Sequence, residues 1–222
     1  MRIIFVRHGE PDYKNDCLTA EGHIQAEAVA KRLSEEEKIE EIYSSPMGRA
    51  RMTMQKFADK HQDLPVKILD FMHEINWGST SGKEIPLEGH PWNCVNEMVS
   101  RGINICDSDW KNGPYFYGNT ATENVEDIAK EIDGWLLSLG YERQGFYYRN
   151  LHKDDEQHTV VLFCHGGSSC AAIAHMTNLP FTFTCAAIHM PFTAVTILRL
   201  DKNPGSLCTP VLEQLSDIRH LA

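Results

Sequence analysis

The chain has 222 residues, enough for one sizeable α/β domain, and we expect a single domain over residues 1–222. Its net charge of −10 argues against a nucleic-acid or anionic-membrane partner, because such surfaces need clustered lysine and arginine. Seven cysteines without CxxC spacing indicate reduced thiols. With no long apolar run and no signal-like N-terminus, these features predict a cytoplasmic protein.

The first third of the sequence alternates predicted strands and helices. Residues 3–6 (IIFV) form an apolar, β-branched run typical of a strand buried on both faces. Residues 41–44 and 66–69 are two further strands. Helical spacing marks two intervening faces, formed by Ala26, Val29, Ala30 and Leu33, and by Met47, Ala50, Met54, Phe57 and Ala58.

The segment from about residue 78 to 120 shows no clear helical or strand periodicity. Thr120 and Glu123 then form a predicted capping box before a strong helical face, made of Val125, Ile128, Ala129, Ile132, Trp135 and Leu136. Strands follow at 159–163 and 194–198, with a helix at 171–176. Alternating strands and amphipathic helices predict an α/β fold with three αβα layers and a mainly parallel sheet.

Three predicted strands end in unusual polar segments: RHG at 7–9, SSPMGR at 44–49 and HGG at 165–167. Parallel strands bring their carboxyl ends to one edge of a sheet, where ligands bind. Arg7, His8, Arg49 and His165 should therefore converge. Such a cluster of like charges is unfavourable without an anion, and guanidinium forks together with helix N-termini suit phosphate.

The same residues could also carry chemistry. A neutral histidine whose first ring nitrogen is fixed by a backbone carbonyl offers the lone pair of the second as a nucleophile. Attack on phosphorus would give a phosphohistidine that water then cleaves, and Gly9 would let the ligand approach the backbone closely. The leaving alkoxide needs a proton, for which Glu74 is the best placed candidate, with Asp70 and Glu84 as competitors.

The motifs VRHGE, LTAEGHIQA, YSSPMGRA and a late CHGG together resemble the histidine phosphatase superfamily, in its phosphoglycerate-mutase-like branch. The resemblance implies a six-stranded sheet, His8 as the phosphorylated nucleophile and Glu74 as proton donor. It also implies a phosphate pocket made by Arg7, Arg49, His165 and the adjacent Gly166, with Asn15 as a further ligand of the phosphoryl group. The irregular segment 78–120 would form a cap over this site.

Two departures separate the chain from the cofactor-dependent mutases of that family. Only Asp16 and Cys17 lie between Asn15 and the LT motif, and Arg101 is the one arginine between residues 78 and 119. A mutase must retain a second phosphate, so a site poor in cations favours hydrolysis. We therefore expect a phosphatase acting on a small phosphorylated metabolite. A phosphoglycerate mutase and a non-catalytic phosphate-binding domain remain as alternatives, and exposed sheet edges leave room for a homodimer.

Other chemistries fit the sequence less well. A cysteine phosphatase needs HCx₅R, and a serine esterase needs GxSxG; neither pattern is present around Cys164 or Ser168. A zinc site from Cys164, His165, Cys170 and His175 matches no compact zinc spacing, so we expect no metal and no cofactor. His73 and His189 are the remaining histidines expected near the pocket. The aromatic segment 114–118 (PYFYG) is either a lid or a turn packed on the core.

Overall fold

The computed structural model describes all 222 residues. The eleven strands are β1 (Arg2–Arg7), β2 (Pro11–Asp12), β3 (Cys17–Leu18), β4 (Glu41–Ser44), β5 (Val66–Ile68), β6 (Tyr141–Gln144), β7 (Tyr147–Asn150), β8 (Thr159–Cys164), β9 (Val195–Arg199), β10 (Leu207–Cys208) and β11 (Val211–Asp217). The six α-helices are α1 (Ala20–Glu36), α2 (Gly48–Ala58), α3 (Pro91–Ser100), α4 (Thr120–Ser138), α5 (Gly166–Thr177) and α6 (Phe181–Ala187).

A six-stranded sheet forms the centre of the molecule, in the order β11-β9-β1-β8-β4-β5. β1, β8, β4 and β5 pair in parallel, whereas β9 runs antiparallel to both of its neighbours. The predicted mainly parallel six-stranded sheet is confirmed. Because β1, β4 and β8 share one direction, their carboxyl ends lie at the same edge.

Helices cover both faces of this sheet. Along β1, Ile3 and Phe5 pack into one apolar cluster that includes α4 and α5, while Ile4 and Val6 pack into a second one with α1 and α2. Side chains alternate between the faces of a strand, so an unbroken apolar run such as 3–6 needs a helical layer on each side. The predicted three-layer arrangement is therefore confirmed.

Helix α4 begins differently from the prediction. The cap is Asn119, whose Oδ1 accepts a hydrogen bond from the backbone N–H of Ala121 at 3.0 Å. The capping box assigned to Thr120 and Glu123 is wrong, because Thr120 already lies inside the helix. Helix α5 starts at Gly166, five residues before the predicted helical segment, directly after the HGG histidine.

The segment 78–120 contains one regular helix that its mixed composition concealed. In α3, His90 caps the N-terminus, Pro91 occupies the first turn, and Cys94, Val95 and Met98 are buried. The rest of the segment consists of short 3₁₀ turns and loops. The antiparallel strands β6, β7, β10 and β11 were also not predicted. None of the six helices combines the length and the hydropathy needed to cross a bilayer.

Candidate active site

His8 follows β1 directly and is almost completely buried, at 1% exposure. Its Nδ1–H donates to the backbone carbonyl of Gly9 at 2.7 Å, and its Nε2 accepts from Nε of Arg49 at 3.3 Å. Burial lowers the pKa of His8 to about 3, and the neighbouring guanidinium groups of Arg7 and Arg49 act in the same direction. The ring is therefore neutral at pH 7, with its lone pair on Nε2.

His165 lies at the end of β8, beside His8. The two ring centroids are 5.0 Å apart, which the parallel pairing of β1 with β8 makes possible. Nε2 of His165 is hydrogen-bonded to Oγ of the buried Ser45 at 2.7 Å, and its Nδ1 is buried without a protein partner. Burial lowers its pKa well below the ordinary value, as do His8 and both arginines. The predicted convergence of the two imidazoles is confirmed.

Arg49 is in the first turn of α2, after the predicted SSP segment, and is buried. Besides its contact with His8, its Nη1 forms an ion pair with Oδ1 of Asp16 at 2.5 Å. Oδ2 of Asp16 accepts from the backbone N–H of Gly48 at 2.6 Å. Although burial opposes it, the Gly48 and Arg49 contacts lower the pKa of Asp16. Arg49, which we predicted to bind phosphate, is thus already paired with the carboxylate of Asp16.

No motif or spacing singles out Asp16, which follows Asn15 in a polar loop. Its contact arises because the chain reverses between β2 and β3, with Asp16 in the left-handed region at φ +49°. Gly48 fits beneath it only without a side chain, since a Cβ there would lie 2.2 Å from the Asp16 carbonyl oxygen. The loop between β2 and β3 therefore packs against the N-terminus of α2, beside Arg49.

Arg7 is the last residue of β1, and its side chain lies beside Met190 and Phe192. Its Nη1 donates to the Met190 carbonyl, its guanidinium carbon lies 4.4 Å from the centroid of the Phe192 ring, and its Nε is buried without a protein partner. A Cβ on Gly166 would lie 3.7 Å from that Nε, in ordinary contact. Arg7 and Gly166 thus border the same space.

Glu74 projects to the N-terminus of α5. Its Oε1 accepts from the backbone N–H groups of Ile75 and Ser168 at 3.0 and 3.1 Å. Burial nevertheless raises the pKa of the carboxyl, against these hydrogen bonds and the charge of Arg7. A raised pKa favours the protonated carboxyl, which is the form that can supply a proton. The competing acids Asp70 and Glu84 are both exposed.

Two of the predicted site residues have different surroundings from those expected. Asn15 is exposed, and its amide donates to Oδ2 of Asp12 at 2.6 Å, so its role as a phosphoryl ligand stays a prediction. Gly9 does allow a close approach, but to Gly22 of α1: a Cβ on Gly9 would lie 2.5 Å from the Gly22 carbonyl oxygen. The glycine therefore permits β1 and α1 to pack together and does not directly make room for a ligand.

A cavity of about 510 Å³ opens beside Arg7, Glu74 and Gly166. Its outer wall is aromatic, and its rings are those of Tyr13, Trp77, His90, Trp92 and His189. Apart from His189, sequence reasoning assigned none of these to the site. In the sequence, only the GHPWNC segment at 89–94 could have indicated this wall, because it places a histidine and a tryptophan close together.

His73 bonds through Nδ1 to the carbonyl of Glu74 at 2.8 Å and does not line the cavity. Phe116 is buried against Trp110 and Phe181, so the segment 114–118 packs on the core, although Tyr117 is exposed.

The side chains of the zinc alternative point to separate partners. Cys164 contacts Ser169, and His175 pairs with Asp133. No three metal-binding side chains in the chain converge on one point.

The comparisons with known proteins agree with this arrangement. Residues 3–97 match the family model described as histidine phosphatase superfamily (branch 1). A protein named a probable phosphatase in Schizosaccharomyces pombe is 23% identical over 193 residues, which cover 82% of this chain and 77% of that protein. Phosphoglycerate mutase-like protein 4 of Arabidopsis thaliana is 37% identical over 90 residues, which cover 36% of this chain and 39% of that protein.

Among solved structures, a phosphoserine phosphatase mutant from Entamoeba histolytica, in complex with phosphoserine, is similar over 100% of this chain and 99% of its own. The TM-score is 0.62 at 23% sequence identity, which establishes a shared fold. The residues that match the family model, 3–97, carry the first three motifs and Glu74. The resemblance inferred from the motifs is thereby confirmed.

Proposed function

We propose that the chain is a phosphatase that hydrolyses a small phosphate monoester through a phosphohistidine on His8. One observation carries the proposal: two neutral imidazoles and two guanidinium groups converge at one edge of the sheet, and two of their buried donors have no protein acceptor. They are Nε of Arg7 and Nδ1 of His165, which carries the proton in the tautomer whose Nε2 accepts from the Ser45 hydroxyl. Buried donors without acceptors are unfavourable, and the oxygens of a phosphoryl group would satisfy both.

In the first step, Nε2 of His8 forms a bond to phosphorus while the ester P–O bond breaks. Nδ1 keeps its proton, and the Gly9 carbonyl that accepts this hydrogen bond stabilises the positive ring. The leaving alkoxide takes its proton from the carboxyl of Glu74. Arg7, Arg49 and His165 stabilise the charge on the three transferring oxygens, for which donors held in fixed positions are effective.

In the second step, the carboxylate of Glu74 removes a proton from water as the water oxygen attacks phosphorus. The P–N bond breaks, inorganic phosphate leaves, and both His8 and Glu74 return to their starting protonation states. The same carboxyl thus serves as acid and then as base. Its raised pKa supports the acid role, because burial favours the protonated carboxyl that the first step requires.

The proposal is tested by hydrolysis of para-nitrophenyl phosphate. We expect His8→Ala to lower kcat by roughly 10⁴- to 10⁶-fold, comparable to the loss of the nucleophile in other covalent enzymes. His23→Ala is the matched control, since His23 is exposed on α1, and it should retain wild-type rates. Vanadate should inhibit competitively. Unchanged hydrolysis in His8→Ala would refute the mechanism.

The two alternatives have less support. A mutase must hold a second phosphate, but Arg7 is the only lysine or arginine that lines the cavity, and Arg101 pairs with Glu97 on the surface. A binding domain without activity would not need both the nucleophile and the acid in place. Incubation with 3-phosphoglycerate and 2,3-bisphosphoglycerate separates these cases: release of phosphate supports the phosphatase, and isomerisation without release supports the mutase.

A further inference from the structure

The wall of the cavity opposite the phosphate-binding residues is built of exposed rings. The Trp77 and His90 rings meet edge to face, 4.7 Å apart, and the Trp92 ring lies 5.9 Å beyond His90. Trp77 is 44% exposed and Tyr13 is 65% exposed. Large aromatic faces left open inside a concave site are typical of surfaces that bind a flat, apolar group.

The wall is held in place by one buried side chain, Asn119. Its Nδ2 donates to the Gly89 carbonyl at 2.8 Å, next to His90, while its Oδ1 accepts from the backbone N–H of Gly78 at 3.3 Å, next to Trp77. Asn119 is also the cap of α4, so both wall segments are fixed to a core helix. The rings therefore form a prepared surface, and a ligand need not order them.

Apart from two histidines, the wall also lacks basic and acidic side chains. Among the residues that line the cavity, Arg7 is the only lysine or arginine and Glu74 the only acid, and both are used in the proposed reaction. The remaining lining includes Ile188 and Met190. A carboxylate or second phosphate on the leaving group would be desolvated here without a lysine or a second arginine to pair with, which is unfavourable.

We infer that the substrate is a phosphate monoester whose alcohol carries an uncharged aromatic or heteroaromatic ring, which stacks on the tryptophan wall. This inference rests on the proposed function. A cavity of about 510 Å³ can hold a leaving group of nucleoside size. Trp77 and Trp92 set the preference for such a leaving group, whereas His8 and the arginines act on the phosphate alone.

The test compares adenosine 5′-monophosphate with ribose 5-phosphate, which share the same primary phosphate ester and differ in the ring. We expect kcat/KM to be about 5- to 150-fold higher for the nucleotide, since stacking of a base on an aromatic side chain contributes about 1–3 kcal/mol. Trp77→Ala and Trp92→Ala should remove most of that ratio, because each lowers kcat/KM for the nucleotide far more than for ribose 5-phosphate. Tyr117→Ala, at an exposed aromatic residue outside the cavity, should change neither rate.

Binding measured by calorimetry on His8→Ala keeps this test independent of turnover. Tighter binding of the nucleotide than of ribose 5-phosphate, lost on Trp77→Ala, supports the inference even if hydrolysis through His8 fails. Equal affinities and equal kcat/KM for the two compounds would overturn the inference. If His8→Ala nevertheless abolished hydrolysis of both compounds, the proposed phosphatase function would stand.

Discussion

The two ends of the site are built in different ways. At the phosphate end, all three buried residues are positioned by the central sheet: His8 and His165 directly follow β1 and β8, and Arg49 lies in the first turn of α2, which follows β4. At the far end, Trp77 and His90 stand on loops and are partly exposed, held by hydrogen bonds from one asparagine. The phosphate-binding groups thus lie at strand ends or in the first turn of a helix. The two residues that we infer to select the substrate lie on a loop (Trp77) and in the first turn of α3 (Trp92).

This contrast has a physical basis. Phosphoryl transfer depends on the precise placement of charges, and strand ends in a packed sheet supply that precision. Recognition of a leaving group tolerates more variation and is commonly carried by surface loops on a rigid scaffold. Substitutions at the phosphate end should therefore affect every substrate alike, whereas those on the wall should act selectively.

Glu74 belongs to both ends of the site, because one of its oxygens accepts a hydrogen bond from the N-terminus of α5 and its side chain also lines the cavity. We expect Glu74→Gln to lower kcat on alkyl phosphates by about 10²- to 10⁴-fold, the usual contribution of general acid–base catalysis. Aryl phosphates should lose much less, since their leaving groups need no proton. In the wild type, alkyl phosphate turnover should fall as the pH rises through the raised pKa of Glu74.

Steady-state rates on β-glycerophosphate and para-nitrophenyl phosphate across a pH series measure both effects. Glu84→Gln is the control, because Glu84 is an exposed acid that does not line the cavity. Equal losses on the two substrates in Glu74→Gln would place the proton donor elsewhere.

Arg49 tests the expectation that the phosphate end acts on all substrates. Arg49→Ala should reduce kcat/KM by on the order of 10²- to 10³-fold, by analogy with the loss of one donor to a transition-state oxyanion. The reduction should be the same for alkyl and aryl phosphates. Arg51→Ala, two residues later on the exposed face of α2, should have no effect. A loss confined to one substrate class would contradict the division of roles.

The smallest effect concerns stability. His8 has a pKa of about 3 in the folded protein, below the 6.5 of a free imidazole. Between these values the unfolded chain binds a proton that the folded chain does not, so protonation favours unfolding and stability falls as the pH is lowered. Each such histidine contributes a slope of about 1.4 kcal/mol per pH unit in this range.

His8→Gln removes this titrating group and should make the protein lose less stability between pH 5 and pH 4 than the wild type does, by about 1 kcal/mol. Urea unfolding at the two pH values measures the difference. His23→Gln, at an exposed histidine, should follow the wild type. If His8→Gln showed the wild-type slope, His8 would not be neutral in the folded state.

The strands and helices that were predicted correctly are those whose apolar pattern is set by the central sheet. The run 3–6 and the face of α4 have no other stable arrangement than burial between layers. Helix α3 was missed because proline, glycine and aromatic residues obscure its short apolar face, and β11 because its residues are mostly exposed. Edge and surface elements leave a weaker periodic signal than the core.

By itself, the sequence determined the fold class and the convergence of His8, His165, Arg7 and Arg49, because parallel strands must end at a common edge. Only the tertiary structure decided what surrounds them. The pairing of Asp16 with Arg49 and the wall of Trp77 depend on loop geometry, for which no periodicity exists in the chain. Strand ends are positioned by backbone hydrogen bonds that repeat, whereas loops are positioned by individual side-chain contacts that do not.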